Sequence, residues 1–155
     1  MRMRSVFFLI AMVLLGHAPA CWAQAPASDP TGALRAWTAA YASNDGARAA
    51  AVYTEEAVLW GSVSRELTVG RDAITAYFGR VRPGLAGIAV EFGEYRVQSL
   101  SDGAAIASGH YTFIQRRADG TENREPSRFT MVLARGADGV WRNANHHSSR
   151  MPAAR

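Results

Sequence analysis

The chain has 155 residues, enough for one domain with a modest core, and a formal charge of +4. That charge is too small to argue for a nucleic-acid partner, and a single cysteine excludes an internal disulfide framework. All 17 basic residues are arginine, a coding bias that carries no functional information.

Arg2 and Arg4, the apolar run Val6 to Leu15 and the small residues leading to Ala23 read as a secretory signal peptide over 1–23, cut after Ala23. The apolar run is too short to span a bilayer comfortably. Cleavage removes Cys21 and two positive charges, lowering +4 by two to +2, and leaves no membrane span. The expected location is therefore outside the cytoplasm, periplasmic or secreted. Residues 24–29, rich in Ala, Pro and Ser, form a mobile lead-in, and one domain over 30–152 follows.

Asp29-Pro30-Thr31 opens a first helix, along which Leu34, Trp37 and Tyr41 recur at helical spacing. Ser43-Asn44-Asp45-Gly46 ends it and caps a short second helix, filled by Ala47 to Val52 and closed at Tyr53. Glu55-Glu56 makes a turn into a short strand ending at Gly61. Val69-Gly70-Arg71-Asp72 introduces a third helix, with Asp72 in the first turn, where the helix dipole favours an acid. Its apolar residues Ile74, Tyr77, Phe78 and Val81 share one face, and Pro83-Gly84 stops it.

Beyond Gly84 the hydrophobic period becomes two. Ile88, Val90 and Phe92 share one parity, whereas Tyr95 and Val97 take the other, so a β-bulge is expected at Gly93-Glu94. Asp102-Gly103, Asp119-Gly120 and Asp138-Gly139 separate alternating runs, the mark of an antiparallel meander. Helices first and long strands afterwards give an α+β domain with helices on one side of a curved sheet.

The last strand carries the strongest sign of a site, because polar residues on a strand that should help form a core are costly unless paired. Strict alternation puts Trp141, Asn143, Asn145, His147 and Ser149 on one face, and Arg142, Ala144, His146 and Ser148 on the other. His147 reads either as a pocket donor or acid–base group, or as a structural histidine bonded across the sheet. Arg128 suits a carboxylate-bearing ligand, or an internal salt bridge to Glu91, Glu94 or Glu125. Tyr53, Trp60, Tyr77 and Tyr111 could line a pocket, their hydroxyls needing partners when buried, while Trp37, Phe78 and Trp141 read as core. Neighbouring His146 and His147 diverge from a regular strand and no further ligands have metal-site spacing, so no metal is expected. Phosphate loops and nucleophile elbows are absent, and no cofactor is expected.

The run Asp138-Gly139-Val140-Trp141 through His146-His147-Ser148-Ser149 to Pro152 resembles the closing signature of the NTF2-like/SnoaL-like superfamily. More narrowly, it is similar to bacterial stand-alone relatives of the association (hub) domain of calcium/calmodulin-dependent protein kinase II. Trp60-Gly61-Ser62, the Ile74 to Phe78 helix and Pro126-Ser127-Arg128-Phe129-Thr130 resemble further elements of those relatives. The resemblance implies a cone, a curved antiparallel sheet wrapped around N-terminal helices, with a pocket at its wide end. It also implies that Arg128 and His147 belong to the pocket region. This chain departs from the hub pattern at Ser148, where the hub has arginine, and at Arg150, where it has glycine.

Together these readings predict an exported, non-catalytic domain that binds a small organic ligand, anionic if Arg128 is used, and forms a homodimer or higher homo-oligomer through the outer sheet face. The alternative is an isomerase-, dehydratase- or cyclase-type enzyme using His147 as acid or base.

Overall fold

Asp29 sets the first helix. Its carboxylate accepts the Thr31 amide (3.0 Å) and the Thr31 hydroxyl, which replaces bonds the helix start cannot make internally. The computed structural model describes residues 29–80 and 85–153. The leader, nearly all of the lead-in, Val81 and the Pro83-Gly84 stop lie outside them. Helix α1 (Thr31–Ala42) buries Leu34, Trp37 and Tyr41 as its spacing predicts. Each such side chain contributes about 1.5–3 kcal/mol by leaving water. Asp45 then caps α2 (Gly46–Ala51), accepting the Arg48 amide at 3.0 Å. Helix α3 (Arg71–Phe78) ends at Gly79, earlier than the Pro83-Gly84 signal suggests.

Gly46 fixes how α2 meets α3. A side chain there would strike the Thr75 carbonyl oxygen and the Gly79 amide nitrogen, so only glycine permits this backbone approach.

Tyr53 does not close α2; it begins β1 (Tyr53–Trp60), which runs straight through Glu55-Glu56. Arg71 holds this start by donating to the Tyr53 carbonyl at 3.0 Å and pairing with Glu55 at 2.6 Å. The remaining strands are β2 (Thr68–Val69), β3 (Leu85–Ser101), β4 (Ala104–Arg117), β5 (Glu122–Arg135) and β6 (Trp141–Arg150), in sheet order β2-β1-β6-β5-β4-β3. From β3 to β6 the sheet is the expected antiparallel meander. β6 then lies beside β1 in parallel, a pairing that local pattern does not announce.

Of the register shifts in the sheet, two bear on the site. The expected bulge in β3 is present: the register with β4 shifts between Phe92 and Tyr95. His110 seals it, its Nε2 accepting the Glu94 amide at 3.2 Å. A second shift, in β6, was not expected. Leu133 faces Asn143, but the preceding Val132 faces Asn145, so Ala144 is extra. Trp141 and Asn143 point inward before it, and His146 and Ser148 point inward after it. Strict alternation from Trp141 therefore assigns the His-His-Ser-Ser run to the wrong faces.

The result is an α+β cone in which the curved, open sheet wraps the helices. Trp37, Tyr53, Tyr111, Met131 and Leu133 lie in its core. Among the described residues, no helix is long and apolar enough to cross a membrane.

Candidate functional site

His146 stands at the centre of the cone, 2% exposed. Its Nδ1 lies 2.8 Å from the Tyr53 hydroxyl and its Nε2 lies 3.2 Å from the Tyr111 hydroxyl. Trp37, which can only donate, gives its indole N–H to the Tyr53 oxygen at 2.8 Å. The arrangement with fewest idle protons has Tyr53 donate to Nδ1 and Nε2–H donate to Tyr111, leaving the Tyr111 proton to face Ser148. The Trp37 indole meets the His146 ring edge-on, with centroids 5.1 Å apart.

Burial keeps this chain of groups neutral. Desolvation, helped by the neighbouring His147, holds the His146 imidazole down at about 3. Burial pushes both the Tyr53 and Tyr111 hydroxyls up, against the opposing Trp37 bond at Tyr53. Ser148 lies close enough to Tyr111 to offset part of that rise, yet its hydroxyl forms no hydrogen bond of normal geometry.

Beside this layer lies a cavity of about 90 Å³, with His146 and Ser148 in its lining. Its walls include the apolar side chains of Trp37, Leu59, Phe78 and Phe113, and Tyr41, Ser62, Tyr77, Gln115, Glu125, His146 and Ser148 bring polar groups to it. Glu125 is the one charged residue of the lining, and it is bound at the rim by Arg150 Nε at 2.8 Å. Gly61 lines the cavity, and a side chain there would strike the Tyr77 hydroxyl.

The residues singled out in the sequence divide between two sides of the sheet. Tyr77 lines the cavity. Tyr53 and Tyr111 are wholly buried and reach it only through His146. Trp60 is 43% exposed and pairs in register with His147. Arg128 and His147 point away from the cone, because the β6 bulge reverses the parity of His147 and Arg128 alternates with buried Ser127 and Phe129. Arg128 makes none of the anticipated salt bridges: Glu91 pairs with Arg124, Glu94 with Arg96 and Glu125 with Arg150.

Sequence reasoning missed His146, Ser148, Gln115 and Glu125. For the last two a signal existed, since counting by two from Phe113 and Phe129 places both inside. For His146 and Ser148 none did, because Ala144 carries no mark of a bulge.

The sequence profile of the SnoaL-like domain matches residues 32–154. No curated protein matches the chain. Among solved structures, a Xanthomonas campestris protein described as a calcium/calmodulin-dependent protein kinase II association domain is 30% identical. The match covers 85% of this chain and 95% of that one, with a TM-score of 0.70. A ketosteroid isomerase-like protein from Erwinia carotovora atroseptica is 23% identical, with 79% and 94% covered and a TM-score of 0.64. A Caulobacter vibrioides protein with a cystatin-like fold is 19% identical, with 79% and 87% covered and a TM-score of 0.63; these two likenesses speak to fold alone. With its profile matched over the whole cone and a 30% identical relative spanned almost end to end, the chain belongs to the SnoaL-like family of the NTF2-like superfamily.

Proposed function

We propose that this protein is a non-catalytic binding domain whose cone takes up a small neutral organic molecule, or the neutral head group of a larger one. The observation that carries this reading is the Ser148 hydroxyl. It is buried, lines the cavity and, although the Tyr111 hydroxyl is near, makes no hydrogen bond of normal geometry. Leaving such a group unpaired costs about 1–3 kcal/mol, which an occupant accepting or donating there would recover.

The charge of the lining selects the ligand. Among the described residues Glu125 is its one charged group and no arginine lines it, so an anion would meet repulsion there and no counter-charge. The anionic ligand anticipated from Arg128 therefore does not suit the interior. Size selects further, since about 90 Å³ is smaller than the ~150 Å³ cavity that holds benzene. A short alcohol, ketone or amide fits, with any larger part extending past Gly61 and Val63.

The binding reading is favoured over catalysis by the engagement of the candidate acid–base groups. Both His146 nitrogens are occupied, Glu125 is paired with Arg150, and His147 lies on the opposite face of the sheet. The proposal also includes export, on the strength of the 1–23 leader, and self-association. For the latter, register aligns Val69, Val58, Val132 and Ile106 in one outward apolar row broken only by Asn145. The similarity to a protein described as an association domain supports it.

The test is a binding screen by thermal shift and calorimetry, comparing short neutral alcohols, ketones and amides with carboxylates. Ligand at one hundred times its Kd stabilises by about 2.7 kcal/mol. Neutral ligands are expected to stabilise the wild type and to lose at least tenfold in affinity in Ser148→Ala. Stabilisation by carboxylates with unchanged affinity in Ser148→Ala would overturn the reading.

A further inference from the structure

We infer that the convex face of the sheet carries a second site, an oxyanion-binding concavity built by Arg128, Thr130, His147 and Ser149. It is separate from the interior cavity, and its failure would leave the interior reading untouched.

Backbone register assembles these groups. Arg128 pairs with Ser149 and Thr130 with His147 across β5 and β6, so all four side chains leave the same face on adjacent strands about 4.8 Å apart. Between them lies a concavity of about 370 Å³, with Gly109 and Phe129 also contributing to its walls. Every polar side chain of this lining can donate a hydrogen bond, and none is a carboxylate.

Among the described residues no carboxylate pairs with Arg128. The acids that could reach Arg128 are held by other arginines: Glu91 by Arg124, Glu94 by Arg96 and Glu125 by Arg150. His110, the β4 register partner of Arg128, turns its Nε2 to the Glu94 amide and seals the β3 bulge. Arg128 is thus left exposed, with its planar fork free for a bidentate acceptor. Hydroxyls from Thr130 and Ser149 and the His147 imidazole are placed to complete the shell. A carboxylate or a phosphate has the required chemistry, and the two are distinguished by experiment. The apolar row proposed for self-association passes through Asn145 and Val132, next to the Thr130–His147 pair on the same face, and does not include Arg128 or Ser149.

The experiment is an NMR titration of the protein with sodium acetate, inorganic phosphate and sodium chloride at matched ionic strength. It follows the Arg128 side-chain N–H and the amides of Thr130, His147 and Ser149. Saturable shifts with acetate or phosphate but not chloride, weakened at least tenfold in Arg128→Gln and unchanged in Ser148→Ala, are the expected result. The tighter of the two anions identifies the class. Shifts that are linear, equal in chloride or indifferent to Arg128→Gln would overturn the site. So would sedimentation showing that Arg128→Gln dissociates an oligomer whose wild-type form gives no shifts, because a second copy would then cover this face.

Discussion

The Nδ1 of His146 and the hydroxyl of Tyr53 meet at 2.8 Å across 93 residues of sequence, in the driest part of the cone. Tyr53 is the relay here: it accepts from Trp37 of α1 and contacts His146 of β6 through one oxygen. Removing that oxygen in Tyr53→Phe strands an indole N–H and an imidazole nitrogen, both buried. A loss of about 1–3 kcal/mol for each group left unpaired is expected in urea unfolding. An unchanged midpoint would show that the hydroxyl is not structural.

His146 also makes stability depend on pH. Its folded pKa is depressed to about 3, whereas the unfolded chain takes up the proton near the ordinary value of about 6.5. Stability from this group is therefore complete above about 6.5 and falls by about 1.4 kcal/mol per pH unit as pH drops toward 3. Between about pH 6.5 and 5.5 the carboxylates stay almost fully ionised, so the slope in that window is nearly free of their contribution. Unfolding free energies measured across it should fall in the wild type and fall less steeply, by about one proton's worth, in His146→Gln. Equal slopes would assign the acid sensitivity elsewhere.

Ser148→Ala separates a binding hydroxyl from a structural one. Because the group makes no hydrogen bond of normal geometry, with only the Tyr111 hydroxyl facing it, its removal should cost no more than about 1 kcal/mol of stability. Ligand affinity should fall at least tenfold in the same variant. A marked drop in melting temperature without ligand would show instead that the hydroxyl is used within the fold.

Two glycines predict different costs for the same added methyl group. Gly46→Ala drives a Cβ into the Thr75 carbonyl and the Gly79 amide, backbone that cannot step aside, and should cost at least about 1–3 kcal/mol. Gly61→Ala meets the hydroxyl and ring of the Tyr77 side chain, a side chain and not backbone, so its stability cost should be smaller while ligand binding changes. The double variant Gly61→Ala/Tyr77→Ala should recover part of the Gly61→Ala loss, a non-additivity that a double-mutant cycle measures.

Much of the cone was legible in local pattern. Leu34, Trp37 and Tyr41 announced the helix that fills it, the Asp-Gly pairs announced the turns, and the change of parity at Gly93-Glu94 announced the bulge in β3. Each is a short-range signal, set by helix period, turn geometry or strand alternation within a few residues. Glu125 and Gln115 were legible in principle by the same alternation.

The site itself was decided elsewhere. An extra residue at Ala144, unmarked by glycine or proline, turns His146 and Ser148 inward and His147 outward. A strand slipped by one residue exchanges its faces, so a single unseen bulge transfers the histidine from the pocket to the surface. The sequence by itself determined an α+β cone with a polar final strand. Only the tertiary structure decided which histidine the cone encloses, because that choice depends on how β6 registers between β5 and the distant, parallel β1, and no local pattern encodes such a long-range pairing.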